Sequence, residues 1–170
     1  MRQSRQPRSA ATVYEALAPA VLGYFRAQRM RDPESLTGDV FVVVTEKLHA
    51  FRGSDAALRR WVFTIAHHRR VDTIRRETRS PEVLRDELPT DATDEMAEPI
   101  DPDLVAALDG LTDDQREVVV LRFVADLAIE EVARVTGRSK GSVKMLQARG
   151  LEMLEQTLGG DGGEVSSDDA

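Results

Sequence analysis

The chain has 170 residues, no cysteine and a formal net charge of −7, so it suits one or two small domains but can hold no disulfide, thiolate metal site or redox-sensing thiol. No stretch approaches the roughly 18 to 20 consecutive apolar residues that cross a bilayer, and the N-terminus lacks the apolar core of a secretory signal; a soluble, cytoplasmic protein without membrane insertion is expected. Charge is segregated: residues 1–80 hold 15 Lys/Arg against 8 Asp/Glu, residues 81–103 hold 1 against 9, residues 104–158 hold 7 against 9, and residues 159–170 carry 4 acids alone, which suggests a basic N-terminal unit, an acidic connector and an acidic tail.

Residues 1–12, with Arg2, Arg5 and Arg8 among Ser and Gln, read as a disordered basic arm rather than a transit peptide. Val13, Leu17, Val21, Leu22 and Phe25 then keep a helical stripe. Asp32 and Pro33 supply a cap and a first-turn proline, after which Leu36, Val40, Phe41, Val44, Leu48 and Phe51 follow the same period. Residues 41–44 are β-prone, but the stripe continues on both sides and a helix is expected. Arg52, Gly53 and Ser54 make a turn, and a long helix follows over residues 58–79 with Trp61, Val62, Ile65, Val71 and Ile74 apolar. Its far half is basic, with Arg69, Arg70, Arg75, Arg76 and Arg79 beside His67 and His68. The plain alternative is a solvated charged face. Arginines at that density suit phosphates, however, and Trp61 and Phe63 nearby suit bases held out of a stack, as in single-stranded binding.

From residue 81 to 100, Pro81, Pro89 and Pro99 interrupt a run of acids, and neither a helix period nor a strand alternation survives. Such a length without structure inside one compact domain is improbable, so the segment reads as a linker between domains at 13–80 and 101–158. Asp101 and Pro102 restart helix as cap and first-turn residue. Thr112 with Gln115 makes a capping box, and Val118, Val119, Leu121, Arg122 and Val124 carry the helix to a break at Asp126. Ile129, Val132, Ala133 and Val135 form the next helix, which Gly137 stops in a left-handed conformation, and Ser139 caps the last one. Along it, Val143, Leu146, Gly150, Leu154 and Leu158 share a stripe, while Ser142, Lys144, Met145, Ala148 and Arg149 lie on or beside the opposite face. A short helix, a tight turn with glycine and a longer helix with a polar N-terminal half form the helix-turn-helix that enters the DNA major groove; an ordinary helical hairpin is the competing reading. Residues 159–170 read as a disordered acidic tail, and no internal repeat is present.

No Gly-rich phosphate loop, nucleophile elbow or cysteine is found, so no enzyme and no cofactor is expected. His68 and Asp72 are one helical turn apart, but adjacent His67 and His68 point about 100° apart on a helix and share one ion poorly, so no metal site is expected. His49 reads as a structural histidine. Trp61 reads as core, with a lesser chance that its edge stacks on a base.

Both halves together resemble the extracytoplasmic-function (ECF) sigma factors of the sigma-70 family, in order over roughly residues 13–158. Phe51, Arg52 and Gly53, then Leu58, Arg59, Arg60, Trp61, Val62, Phe63, Thr64, Ile65 and Ala66, then Val71, Asp72, Thr73, Ile74, Arg75 and Arg76 look like the family's region 2. Leu111 and Thr112, Gln115 to Val118, Leu121 and Arg122, Glu130 to Ala133, and Gly141 to Lys144 look like region 4. The resemblance implies an all-α protein of two small helical domains. Its partners would be promoter DNA, the β and β′ subunits of core RNA polymerase, and an anti-sigma factor.

By that resemblance, region 2 grips the polymerase clamp and opens the promoter at the minus-10 element, and region 4 binds the β flap and reads the minus-35 element. The clamp-binding helix would include Leu36, Asp39, Val40 and Phe41. The loop at residues 51–58, with the helix near His68, would capture an unstacked base, and Arg69, Arg75 and Arg76 would hold phosphates. Ser139, Lys140, Ser142, Lys144 and Arg149 would contact the major groove, and the acidic linker would thread toward the RNA channel. The sequence departs from the family at Ser35, Gly38 and Asp39, where Asp, Gln and Glu are usual. It departs again at His68, where Asn is common, and at Leu146, Leu151 and Met153, which replace basic residues. Ala128 replaces a serine cap, which weakens that helix start by about 1 kcal/mol. Two other functions compete: a stand-alone helix-turn-helix regulator binding duplex DNA as a dimer, and a helical adaptor whose partner is only protein.

Overall fold

The computed structural model describes residues 8–80 and 102–159, and every regular element among them is helical. The chain divides into two compact units, Met1–Ala92 and Thr93–Ala170. Most of the expected arm, the acidic linker, the Asp101 cap and nearly all of the acidic tail lie outside the described residues.

In the first unit, α1 (Ala10–Ala27), α2 (Pro33–Lys47), a 3-10 turn (Leu48–Ala50) and α3 (Asp55–Arg79) follow one another. Each α-helix opens on a side-chain acceptor that satisfies an otherwise orphaned amide. Ser9 Oγ accepts from the Thr12 N–H at 3.1 Å, Asp32 Oδ1 from the Ser35 N–H at 3.0 Å, and Ser54 Oγ from the Ala57 N–H at 3.1 Å. The Ser9 cap starts α1 at Ala10, so helix begins inside the span expected to be a disordered arm up to residue 12. The β-prone residues stay helical because Val40, Phe41 and Val44 are all buried, which only a helical period allows. The core joins Leu17, Val21, Tyr24 and Phe25 of α1 to Val40 and Val44 of α2 and to Val62, Phe63 and Ala66 of α3. Tyr24 meets Phe63 edge-on, with ring centroids 6.0 Å apart. Arg29 ends α1 in the left-handed region at φ 56°, and the Met30 N–H closes the end on the Phe25 carbonyl at 3.1 Å.

The second unit contains α4 (Pro102–Asp109), α5 (Asp113–Phe123), α6 (Ile129–Thr136) and α7 (Lys140–Gly159). The Thr112–Gln115 capping box forms as expected: Thr112 Oγ1 accepts from the Gln115 N–H and Gln115 Oε1 from the Thr112 N–H. Asp126 breaks the chain at φ 53°, and Gly137 stops α6 at φ 69°. Ala128 supplies no side-chain cap, but Glu131 Oε2 accepts its N–H at 3.0 Å, so half of a capping box survives. Arg116, only 4% exposed, donates to the carbonyls of Leu108 and Leu111, both at 3.0 Å, and ties the end of α4 to α5. Ala107, Leu111, Val119 and Leu154 form a cluster beneath this junction.

Candidate nucleic-acid interfaces

In the second unit, the helix-turn-helix is α6, the turn through Gly137 and Ser139, and α7. Ser139 Oγ accepts from the Ser142 N–H at 3.1 Å, so this candidate contact also starts the helix that carries the others. Arg138 donates to Asp114 Oδ1 at 2.6 Å and fixes the turn against the start of α5. Arg122 braces the other side: its Nε donates to Gln147 Oε1 at 2.8 Å, and its Nη1 to the Leu127 carbonyl. Val143, Gly150 and Leu154 face inward.

At about 100° per residue, Lys140, Lys144, Ala148, Gly141, Met145 and Arg149 then share the outward half of α7, and all six are exposed. Ser142 sits at the edge of that face and is half-buried. Met145, which sequence reasoning did not single out as a contact, is 46% exposed at the centre of the face, where an apolar side chain can meet a thymine methyl. Lys140 Nζ lies 3.3 Å from Glu130 Oε1. The Glu130 carboxyl is held below its usual range by its own backbone amide first and by Lys140 second.

In the first unit, helical phase aligns Trp61, Ile65, His68, Asp72, Arg75, Arg76 and Arg79 along one side of α3. His68, Arg75, Arg76 and Arg79 are exposed. Phe51 stacks on Trp61 with centroids 5.2 Å apart and planes 23° off parallel. The face therefore begins with an aromatic pair and ends in arginines, the combination that suits a single strand with splayed bases. Arg69 lies to one side and is half-buried. Arg70 does not join the face: it aligns with Phe63 and Ala66 and is 9% exposed. Arg52 folds onto its own turn, donating to the His49 and Phe51 carbonyls at 2.9 Å each.

The residues expected to meet polymerase separate. Leu36, Val40 and Phe41 belong to the core, with only Asp39 of the four exposed. Burial leaves those three little surface to offer a partner, and the outward side of α2 is Ser35, Gly38, Asp39, Val42, Thr45 and Glu46, with Val42 58% exposed. Tyr14 of α1 extends this surface, its ring edge-on to Phe41 at 4.9 Å. No helix among the described residues is long and apolar enough to cross a membrane.

Comparison with known proteins agrees with this geometry. A family model described as Sigma-70, region 4 matches residues 107–156. The ECF RNA polymerase sigma factor RpoE of Cereibacter sphaeroides is 30% identical over 164 residues, covering 93% of this chain and 91% of that protein. The ECF RNA polymerase sigma factor SigX of Bacillus subtilis is 28% identical, covering 79% of this chain and 75% of its own length. The solved sigma factor RpoE of Bartonella quintana, crystallised with the anti-sigma factor NepR, shares the fold with a TM-score of 0.69 at 24% identity, covering 89% of this chain and 97% of that one. Two helical units, a capped recognition helix in one and an aromatic and arginine face in the other, thus accompany an alignment that runs through both, and the chain belongs to the ECF RNA polymerase sigma factors.

Proposed function

We propose a division of labour between the units at the level of individual side chains. As a sigma factor the chain directs core RNA polymerase to promoters and starts transcription, the first unit melting the minus-10 element and the second reading the minus-35 element. Lys140, Lys144, Met145 and Arg149 contact the major groove, with Ser139 and Ser142 organising the start of the helix. The Phe51–Trp61 pair and His68 receive unstacked bases, and Arg75 and Arg76, with Arg69 at the side, hold the strand's phosphates. Asp39, Val42 and Tyr14 form the surface offered to polymerase.

The observation that carries this reading is the single stripe on α3 in which a stacked aromatic pair leads into exposed arginines. A regulator that bound only duplex DNA would have no use for it, and neither would an adaptor bound only to protein. The NepR complex of the Bartonella quintana protein supports an anti-sigma factor as a further partner of this chain. The reading is tested by run-off transcription with purified core polymerase. Adding the chain is expected to produce RNA from defined start sites, and the absence of promoter-dependent RNA would refute it.

A further inference from the structure

Arg8 reaches from the residue before the α1 cap to the turn that precedes α3. Its Nη1 donates to the Gly53 carbonyl at 3.1 Å and its Nη2 to Asp55 Oδ1, and its side chain is only 20% exposed. Other supports of the turn come from close by in the chain, among them Arg52 on the His49 and Phe51 carbonyls, Ser54 on the Ala57 amide, and Phe51 on Trp61. Arg8 lies 45 residues from Gly53 and 47 from Asp55, so it ties the turn to the chain leading into α1.

We propose that Arg8 is a positioning residue for the base-capturing turn at residues 51–54 and the first turn of α3, which begins at Asp55 rather than at the expected residue 58, an inference that rests on the reading of Phe51 and Trp61 as base-receiving given above. A loop that receives an unstacked base loses ordering entropy on binding unless it is already fixed, and a two-point hold from the residue leading into α1 fixes it beforehand. The same contact sets a guanidinium against the Asp55 carboxylate, which is 83% exposed at the start of α3, and so lessens its repulsion of a passing phosphate. Arg8 acts through the loop and does not itself touch DNA.

The test uses the full chain with core polymerase on duplex promoters. One active promoter is first selected from a random-sequence library by run-off transcription, and each base of its minus-10 element is then varied in turn. The readout is the ratio of open-complex formation rates between the preferred base and its replacements. A lower folded fraction scales both rates equally and leaves the ratio unchanged, so the ratio separates positioning from stability. Arg8→Ala is expected to lower the ratio at the captured base by about threefold to fivefold. Arg8→Lys, which keeps the charge beside Asp55 but loses the forked two-point hold, is expected to fall between. If Arg8→Ala does not fold, Arg8→Lys is read the same way. A wild-type ratio retained in the variants overturns the role of Arg8 alone; a wild-type chain that distinguishes no base of the minus-10 element overturns the loop reading and this inference together.

Discussion

Gly150 of α7 lies so close to Val119 of α5 that a β-carbon built at position 150 would stand 2.8 Å from Val119 Cγ2. Helix propensity alone favours Gly→Ala by about 1 kcal/mol, but overpacking a tight contact costs about 1–3 kcal/mol. Gly150→Ala is therefore expected to destabilise the second unit by about 1 kcal/mol net, measured by denaturant unfolding. Gly141, on the open face of the same helix with its nearest neighbouring atom 4.0 Å from such a carbon, provides the control. Gly141→Ala should stabilise slightly, and loss at both positions would show that crowding is not the cause.

Arg116 is the second joint of that unit, with its guanidinium on the Leu108 and Leu111 carbonyls. Hydrogen bonds from a charged donor contribute about 1.5–3 kcal/mol, and truncation also takes from the buried Leu111 carbonyl its Arg116 donor, while the Leu108 carbonyl keeps the Leu111 N–H at 3.2 Å. Arg116→Ala is expected to cost about 3 kcal/mol, and Arg116→Lys to recover little because a single ammonium cannot span both carbonyls. Unfolding of the two variants against the parent measures this directly.

In the first unit, Arg26 Nη2 donates to Glu34 Oε1 at 2.7 Å, and this hydrogen bond holds the Glu34 carboxyl below its usual range. A carboxyl depressed in the folded state stabilises above its unfolded pKa, and that stability is lost as pH falls through the folded value. The pair is partly solvated, so its worth is about 0.5 kcal/mol at neutral pH. Glu34→Gln should lower stability by that amount near pH 7, and the gap to the parent should close on acidification below about pH 4. A gap that persists unchanged at low pH would exclude the ion pair as its source.

On the upstream side of the promoter, Lys144 and Arg149 lie on the outward half of α7. Lys144→Ala with Arg149→Ala should reduce transcription from promoters carrying the minus-35 element while leaving promoters without it near their original level, as run-off assays on the two templates would show. Equal loss on both would place these side chains outside sequence reading.

Much of the local chemistry was legible because caps and stops are written in adjacent residues: Asp32 with Pro33, Thr112 with Gln115, Gly137, and Ser139 all act as their spacing implies. In α2 the helical period placed Leu36, Val40 and Phe41 on the apolar stripe, and all three are buried there. Arg70 was counted with the exposed arginines of its run, although its phase with Phe63 and Ala66 points it inward. Arg29 and Asp126 take left-handed conformations without a glycine to announce them. Arg8 gave no signal because its partners are 45 and 47 residues away in sequence.

The most direct test of the division of labour is permanganate reactivity of thymines in the minus-10 element, read together with protection of the minus-35 element in complexes with core polymerase. Replacing two of the three exposed arginines of α3, Arg75→Ala with Arg76→Ala, is expected to suppress thymine reactivity and flatten its log–log salt slope by about 1.4, the share of two phosphates on a single strand, while upstream protection persists. Full thymine reactivity with an unchanged salt slope, or loss of upstream protection with the minus-10 element still open, would contradict the assignment of melting to the first unit.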